Sequence, residues 1–257
     1  MLNTSPPIKI LTIDIGGSHV KAAILDNAGT PVSDYARIET PQPSTPAKVM
    51  ETIQELVKNF IEYEKISVGF PGYVKLGVIK TAPNLGTDYW RDYDLQSAIG
   101  AMLNKPAKVI NDADLQGLGI VSGKGLEMMV TLGTGFGTAL LLDGKLLPHL
   151  EFSHHPIKTD KDYDEYIGEK AYQSKGKEGW NERIKKVIGI LKTVFNYDHL
   201  YISGGNAKNI TFELDENITI ANNREGIKGG AILWKQDSIT VPEGNDGNTS
   251  ILWLHLF

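Results

Sequence analysis

The segment Val109-Ile110-Asn111-Asp112-Ala113-Asp114 delivers a carboxylate from a short apolar run into what reads as a helix start. Leu115, Leu118 and Val121 follow at helical spacing, with Gly117 and Gly119 allowing close packing, so Asp112 is expected at or near the helix N-terminus. The positive end of a helix dipole favours a carboxylate, which suits a general base that stays ionised at neutral pH. The same residue types also make plain helix caps, and the segment by itself leaves that alternative open. Asp114 is expected to matter much less than Asp112.

A glycine-rich loop lies on either side of this segment. Ile15-Gly16-Gly17-Ser18 joins the apolar runs 9–14 and 20–25, and Gly133-Thr134-Gly135-Phe136-Gly137 joins 128–132 and 138–142. Without a Cβ, such loops can bring backbone N–H groups close to phosphate oxygens. Either loop alone reads as an ordinary hairpin. Together with Asp14 at a strand end, where it could hold Mg2+ through water, and Ser203-Gly204-Gly205 after another strand, they describe a nucleotide- or polyphosphate-binding cleft between lobes. Lys21 could assist with phosphate or simply be a solvated strand lysine.

The elements that must position these residues follow from periodicity. The N-terminus reads as a meander of strands at 9–14, 20–25 and 32–38, followed by a helix that starts at Thr45-Pro46 and carries Val49, Ile53, Val57, Phe60 and Ile61 on one face. A strand at 66–70, a small hairpin at 73–80, the loop Pro83-Asn84-Leu85 and a helix at 95–103 lead back to the strand before Asp112. The second half repeats the strand, glycine turn, strand pattern, which suggests two related α/β lobes, 1–110 and 111–257. A charged helix is expected from about Asp162, then an amphipathic one with Trp180, Ile184, Val187, Leu191, Val194 and Phe195 as core residues. A final helix at about 226–235 is expected to pack back on the first lobe, and the apolar tail 236–257 on the core or on another subunit.

Composition narrows the class. A chain of 257 residues with 41% hydrophobic and 22% charged residues can bury a real core. A net charge of −5 without a Lys/Arg-rich stripe argues against nucleic acid as the main partner. With no cysteine there is no thiolate metal site or cysteine nucleophile, and no run is apolar enough for a signal peptide or membrane span. The expected location is the cytoplasm.

In their order and over most of the chain, these segments resemble the ROK family of sugar kinases, most closely its polyphosphate glucokinases. The resemblance rests on Asp14-Ile15-Gly16-Gly17-Ser18, Gly69-Phe70-Pro71-Gly72, Pro83-Asn84-Leu85, Asn111-Asp112-Ala113-Asp114, the loop at Gly133, Glu151-Phe152-Ser153-His154, Ser203-Gly204-Gly205-Asn206 and Gly229-Gly230-Ala231. It implies a two-lobed actin-like, or ribonuclease H-like, ATPase fold with a cleft between the lobes. It also implies that Asp112 takes the proton of a sugar 6-hydroxyl, glucose or a related hexose being the substrate. Gly72, Asn84, Asn111, Glu151, His154 and, from the following helix, Glu169 would bind the sugar. Gly16, Gly17, Ser18, Gly133, Thr134 and Gly135 would hold the phosphates of polyphosphate or ATP, with Gly204 and Gly205 beside an adenosine and Mg2+ as the metal. A homodimer is the expected assembly.

Two departures stand out. The family's cysteine-rich zinc motif is missing, so no structural zinc of that kind is expected, and Ser153 stands where the family has glycine. Lys158, Lys161, Lys170, Lys175 and Lys177 could line a polyphosphate groove or form a solvated helix face. The rival class, a sugar-sensing ROK regulator or other non-catalytic sugar-binding protein, would lack the base or carry a DNA-binding module, and only eight residues precede Lys9.

Overall fold

In the computed structural model, which describes residues 8–222 and 226–236, strand β1 (Ile10–Ile15) is buried along its length except at Asp14. Its side chains alternate between two packed layers. Leu11, Ile13 and Ile15 join Val49, Ile53, Leu56 and Val57 of helix α1 (Pro46–Val57), while Ile10 lies with Ala231 on the opposite face. Strand β2 (His19–Leu25) pairs antiparallel to β1 so that Lys21 stands opposite Asp14. Strands β4 (Lys65–Phe70) and β7 (Ala107–Asn111) extend the sheet in parallel, and β3 (Ala36–Glu39) closes its other edge. The third strand is shorter than the pattern at 32–38 indicates. Ser33 Oγ accepts the Ile24 N–H in place of a regular ladder there, and Pro31 makes only an isolated bridge to Leu25.

The second sheet repeats the first in strand sense, position by position. Strands β8 (Leu126–Leu132) and β9 (Phe136–Leu142) form the antiparallel hairpin, with β10 (Lys145–Leu146) outside β9 and β13 (His199–Ser203) and β14 (Ile218–Ile220) parallel to β8. Met128, Val130 and Leu132 pack on Trp180, Ile184, Val187 and Leu191 of helix α6 (Glu169–Phe195), which is broken at Gly176. Val194, assigned to that apolar face from the pattern, is 57% exposed, while Phe195 beside it packs on Phe152.

Helix α4 (Asp112–Ile120) lies between the two sheets. Ala113, Leu115 and Leu118 pack with Met129, Ala139 and Leu141 of the second sheet, and the other side of the helix meets β4, β7 and the short helix Gly229–Ile232. That last helix packs back on the first sheet, as its Gly230 carbonyl accepts the Ser67 hydroxyl at 2.6 Å. A Cβ on Gly230 would stand 2.0 Å from Thr12 Oγ1, so only glycine allows this approach. The expected helix at 226–235 is thus one short turn followed by a 3-10 turn, Leu233–Lys235. The apolar tail beyond Gln236 lies outside the described residues.

Candidate active site

Strand β7 ends in Asn111, whose extended backbone and short side chain make it the N-cap of α4. Asn111 Oδ1 accepts from the N–H groups of Ala113 (2.8 Å) and Asp114 (3.2 Å), and its Nδ2 donates to the Gly72 carbonyl at 3.1 Å. Capping therefore falls to Asn111, and the alternative of Asp112 as a plain cap is not what the structure shows. Asp112 occupies the first helical position, accepts one bond from the Ala113 N–H (2.9 Å) and lines a cleft of about 900 Å³ between the two sheets.

The helix N-terminus does not keep Asp112 at an ordinary carboxylate pKa. Burial first, then the charge of Asp14, and less strongly those of Asp114 and Glu151, push it up to about 7 against the Ala113 hydrogen bond. The expectation of a carboxylate held ionised by the dipole is corrected, since desolvation and like charge outweigh a terminal dipole effect of about 0.3–1 kcal/mol. A base with this pKa is matched to neutral pH.

The cleft is lined by Gly72, Asn84, Asn111, Glu151 and His154 together with Asp14, Gly16, Gly17, Gly133, Thr134, Gly135, Gly204 and Gly205. Gly204 has φ +95, and a Cβ there would meet the Leu132 backbone at 2.3 Å, so glycine is required where β13 turns into the cleft. Ser18 is not among the lining residues. It is exposed at the tip of its hairpin, and its carbonyl accepts the Thr40 N–H. His154, on the 3-10 turn Phe152–His154, sits 3.2 Å from Asp162 and 3.7 Å from Glu151.

Glu169 is not among the residues that line the cleft. Its Oε2 accepts from Asn206 Nδ2 at 2.7 Å and its Oε1 from Gln173 at 2.9 Å, so it ties the start of α6 to the loop after β13. The acidic residue that reaches the cleft from this region is Asp164, on helix α5 (Tyr163–Ile167), whose Oδ1 accepts the Phe136 N–H at 2.6 Å. A capping box between Asp162 and Glu165 sets the start of α5 and is a local sequence signal for it. His149 also escaped the sequence motifs, although it lies between Asp114 and Glu151 with short contacts to both.

Of the cations considered from the sequence, only Lys21 lines the cleft, joined by Arg37. None of Lys158, Lys161, Lys170, Lys175 and Lys177 lines the cleft, and Lys158 lies over the Tyr166 ring instead. Lys21 and Arg37 are register partners on β2 and β3, and Lys21 Nζ is 3.2 Å from Asp14. Trp90 is wholly buried and donates to the Ser44 carbonyl, which makes it a packing residue. Among the described residues, no group of three or more His, Asp or Glu is placed to hold a metal ion, and no helix is long and apolar enough to cross a membrane.

Comparison with known proteins agrees with this geometry. The family model described as "ROK family" matches residues 10–151. Polyphosphate glucokinase from Mycobacterium tuberculosis is 34% identical over 232 residues, covering 86% of this chain and 84% of that protein. The crystal structure of an inorganic polyphosphate/ATP-glucomannokinase from Arthrobacter sp. strain KM superposes with a TM-score of 0.80 at 29% identity, covering 89% of this chain and 100% of that one. A ROK family glucokinase from Streptomyces griseus, solved with glucose and AMPPNP, shares the fold with a TM-score of 0.72 at 18% identity, covering 88% and 98% of the two chains. The fold is the two-lobed actin-like ATPase fold, and the chain belongs to the ROK family.

Proposed function

We propose that this protein is a sugar kinase that transfers a phosphoryl group from polyphosphate or ATP to the 6-hydroxyl of glucose or a related hexose. The observation that carries this reading is Asp112, a carboxylate raised to a pKa of about 7 in a cleft that Asn84, Asn111, Glu151, His154 and the glycine loops at Gly16 and Gly133 also line. Asp112 takes the proton of the hydroxyl as its oxygen attacks the terminal phosphorus of the donor. The bond from that phosphorus to the bridging oxygen breaks, and ADP or a polyphosphate shorter by one phosphate leaves.

Phosphoryl transfer asks the protein mainly for positioning and charge stabilisation. Glu151, His154, Asn84 and the remaining N–H of Asn111 hold the sugar, and the glycine loops at Gly16 and Gly133 hold the donor. Asp14 fits Mg2+ held largely by phosphate oxygens and water, because it offers one hard oxygen ligand at the cleft and Mg2+ commonly needs only one or two carboxylates. When bound, Mg2+ would offset charge on the donor oxygens. Lys21 and Arg37, side by side on adjacent strands, favour a donor with many negative charges.

The test is initial phosphorylation of glucose and a small panel of other hexoses at matched phosphoryl concentration, with polyphosphate and ATP offered separately at low and moderate salt. Product with both donors is expected, and the apparent affinity for long polyphosphate should fall more steeply with salt than that for ATP. Absence of polyphosphate activity at either salt would leave an ATP-dependent enzyme, and absence of product with any hexose would overturn the kinase assignment.

A further inference from the structure

The imidazole of His149 is clasped between two carboxylates. Nδ1 lies 2.9 Å from Asp114 Oδ2 and Nε2 lies 2.8 Å from Glu151 Oε1. The His149 and Asp114 side chains are only 7% and 4% exposed, and the ring stacks on Tyr73 with centroids 5.9 Å apart. A neutral imidazole has one N–H and one lone pair, so it could satisfy one carboxylate while turning its lone pair on the other. Only the doubly protonated ring donates to both. Burial works against that charge, but the hydrogen bonds to Asp114 and Glu151 and the charges of both raise the His149 pKa to about 10. The other titratable groups nearby are Asp112, on the same turn as Asp114, and His154, whose Nε2 is 3.7 Å from Glu151 Oε2.

The consequence falls on Glu151. Its Oε1 is tied to a fixed cationic donor, which leaves Oε2 to face the cleft. We propose that His149 is a positioning residue, a buried imidazolium anchored by Asp114 that orients Glu151 for hydrogen bonds from the sugar hydroxyls. This rests on the sugar-kinase reading, in which Glu151 faces the sugar. It gives Asp114, set aside on sequence grounds, a place two residues behind the base. It also assigns a role to a histidine outside the short motifs named from the sequence.

The experiment combines kinetics with nitrogen NMR. In the intact wild-type protein with labelled histidine, the His149 resonances, assigned by their loss in His149→Gln, should show both ring nitrogens protonated at pH 8. His149→Gln should raise the KM for glucose about 10- to 100-fold, the range for losing a hydrogen bond to a charged group, while kcat changes no more than about threefold. In a Glu151→Gln background the same change should add little, because the two act as a unit. A neutral His149 at pH 8, or a wild-type KM in His149→Gln when Glu151→Gln raises it, would overturn the inference and leave the kinase reading standing. An unchanged KM in Glu151→Gln would instead remove the placement of the sugar on which the inference rests. If His149→Gln does not fold, the NMR state of the wild-type ring, assigned through His149→Asn, decides the matter.

Discussion

Asp112 and Asp114 share the first turn of α4, yet the two sides of that turn are different environments. Asp112 faces the cleft, and its one hydrogen bond is from its neighbour's N–H. Asp114 faces inward, is 3% exposed and is bonded to the imidazole of His149. Burial raises the pKa of both, but Asp114 has a cationic partner that draws it back, whereas Asp112 has the like charges of Asp14, Asp114 and Glu151 around it. A carboxylate without a cation at its side can take up a proton near neutral pH. One with a buried imidazolium serves as an anchor. Two residues of sequence separate the proposed base from a carboxylate bonded to an imidazole, and the difference lies in what the surrounding elements bring to each.

The sharpest way to break this comparison is Asp112→Asn, which keeps shape and hydrogen bonding but cannot accept a proton. Turnover should fall about 100- to 10,000-fold, with sugar binding little changed, in steady-state kinetics and calorimetry. Near-normal turnover would move the base elsewhere. Stability should separate the pair by sign. The Asp112 pKa is higher in the folded chain than in the unfolded one, so its ionisation lowers stability as pH rises from about 4 through 7, and that cost is fully present above 7. Asp112→Asn should therefore stabilise the protein by about 1–4 kcal/mol at pH 8. Asp114→Asn should destabilise it by about 1–3 kcal/mol, because it leaves a buried imidazolium short of a partner. Denaturant titrations of both variants at pH 8 would show whether the signs oppose.

Smaller effects sharpen the same contrast. Glu151→Gln should weaken glucose binding about tenfold by calorimetry, since a carboxylate is the stronger acceptor for hydroxyls. Unchanged affinity would shift attention to Asn84 and Asn111. In the pH profile of kcat/KM, activity should be lost as pH falls through about 7, the proton occupying Asp112. Glu151→Gln removes one of the charges that raise this value, so its acid limb should lie slightly lower. An acid limb near 4 in the wild type would mean that Asp112 is not desolvated during turnover.

The repeated strand, glycine turn, strand pattern and the short segments around Gly16, Asn111, Gly133 and Gly204 could be read from the sequence, because a hairpin, a cap and a glycine turn are decided by residues adjacent in the chain, whereas the segment at Glu151 was reached only through the resemblance to the ROK family. The outline of the two sheets and most of the cleft lining followed from those local signals. Tertiary structure decided the rest. It brought Asp164 to the cleft where Glu169 was expected, and set Arg37 beside Lys21 there rather than any of the lysines after residue 157. It also set His149 between carboxylates from two separate segments. Each of these depends on which side chains from distant segments meet. A helix dipole can be inferred from the start of a helix, but it is overruled by burial and by like charge, of which Asp14, 98 residues before Asp112 in the chain, contributes most, ahead of Asp114 and of Glu151, 39 residues after.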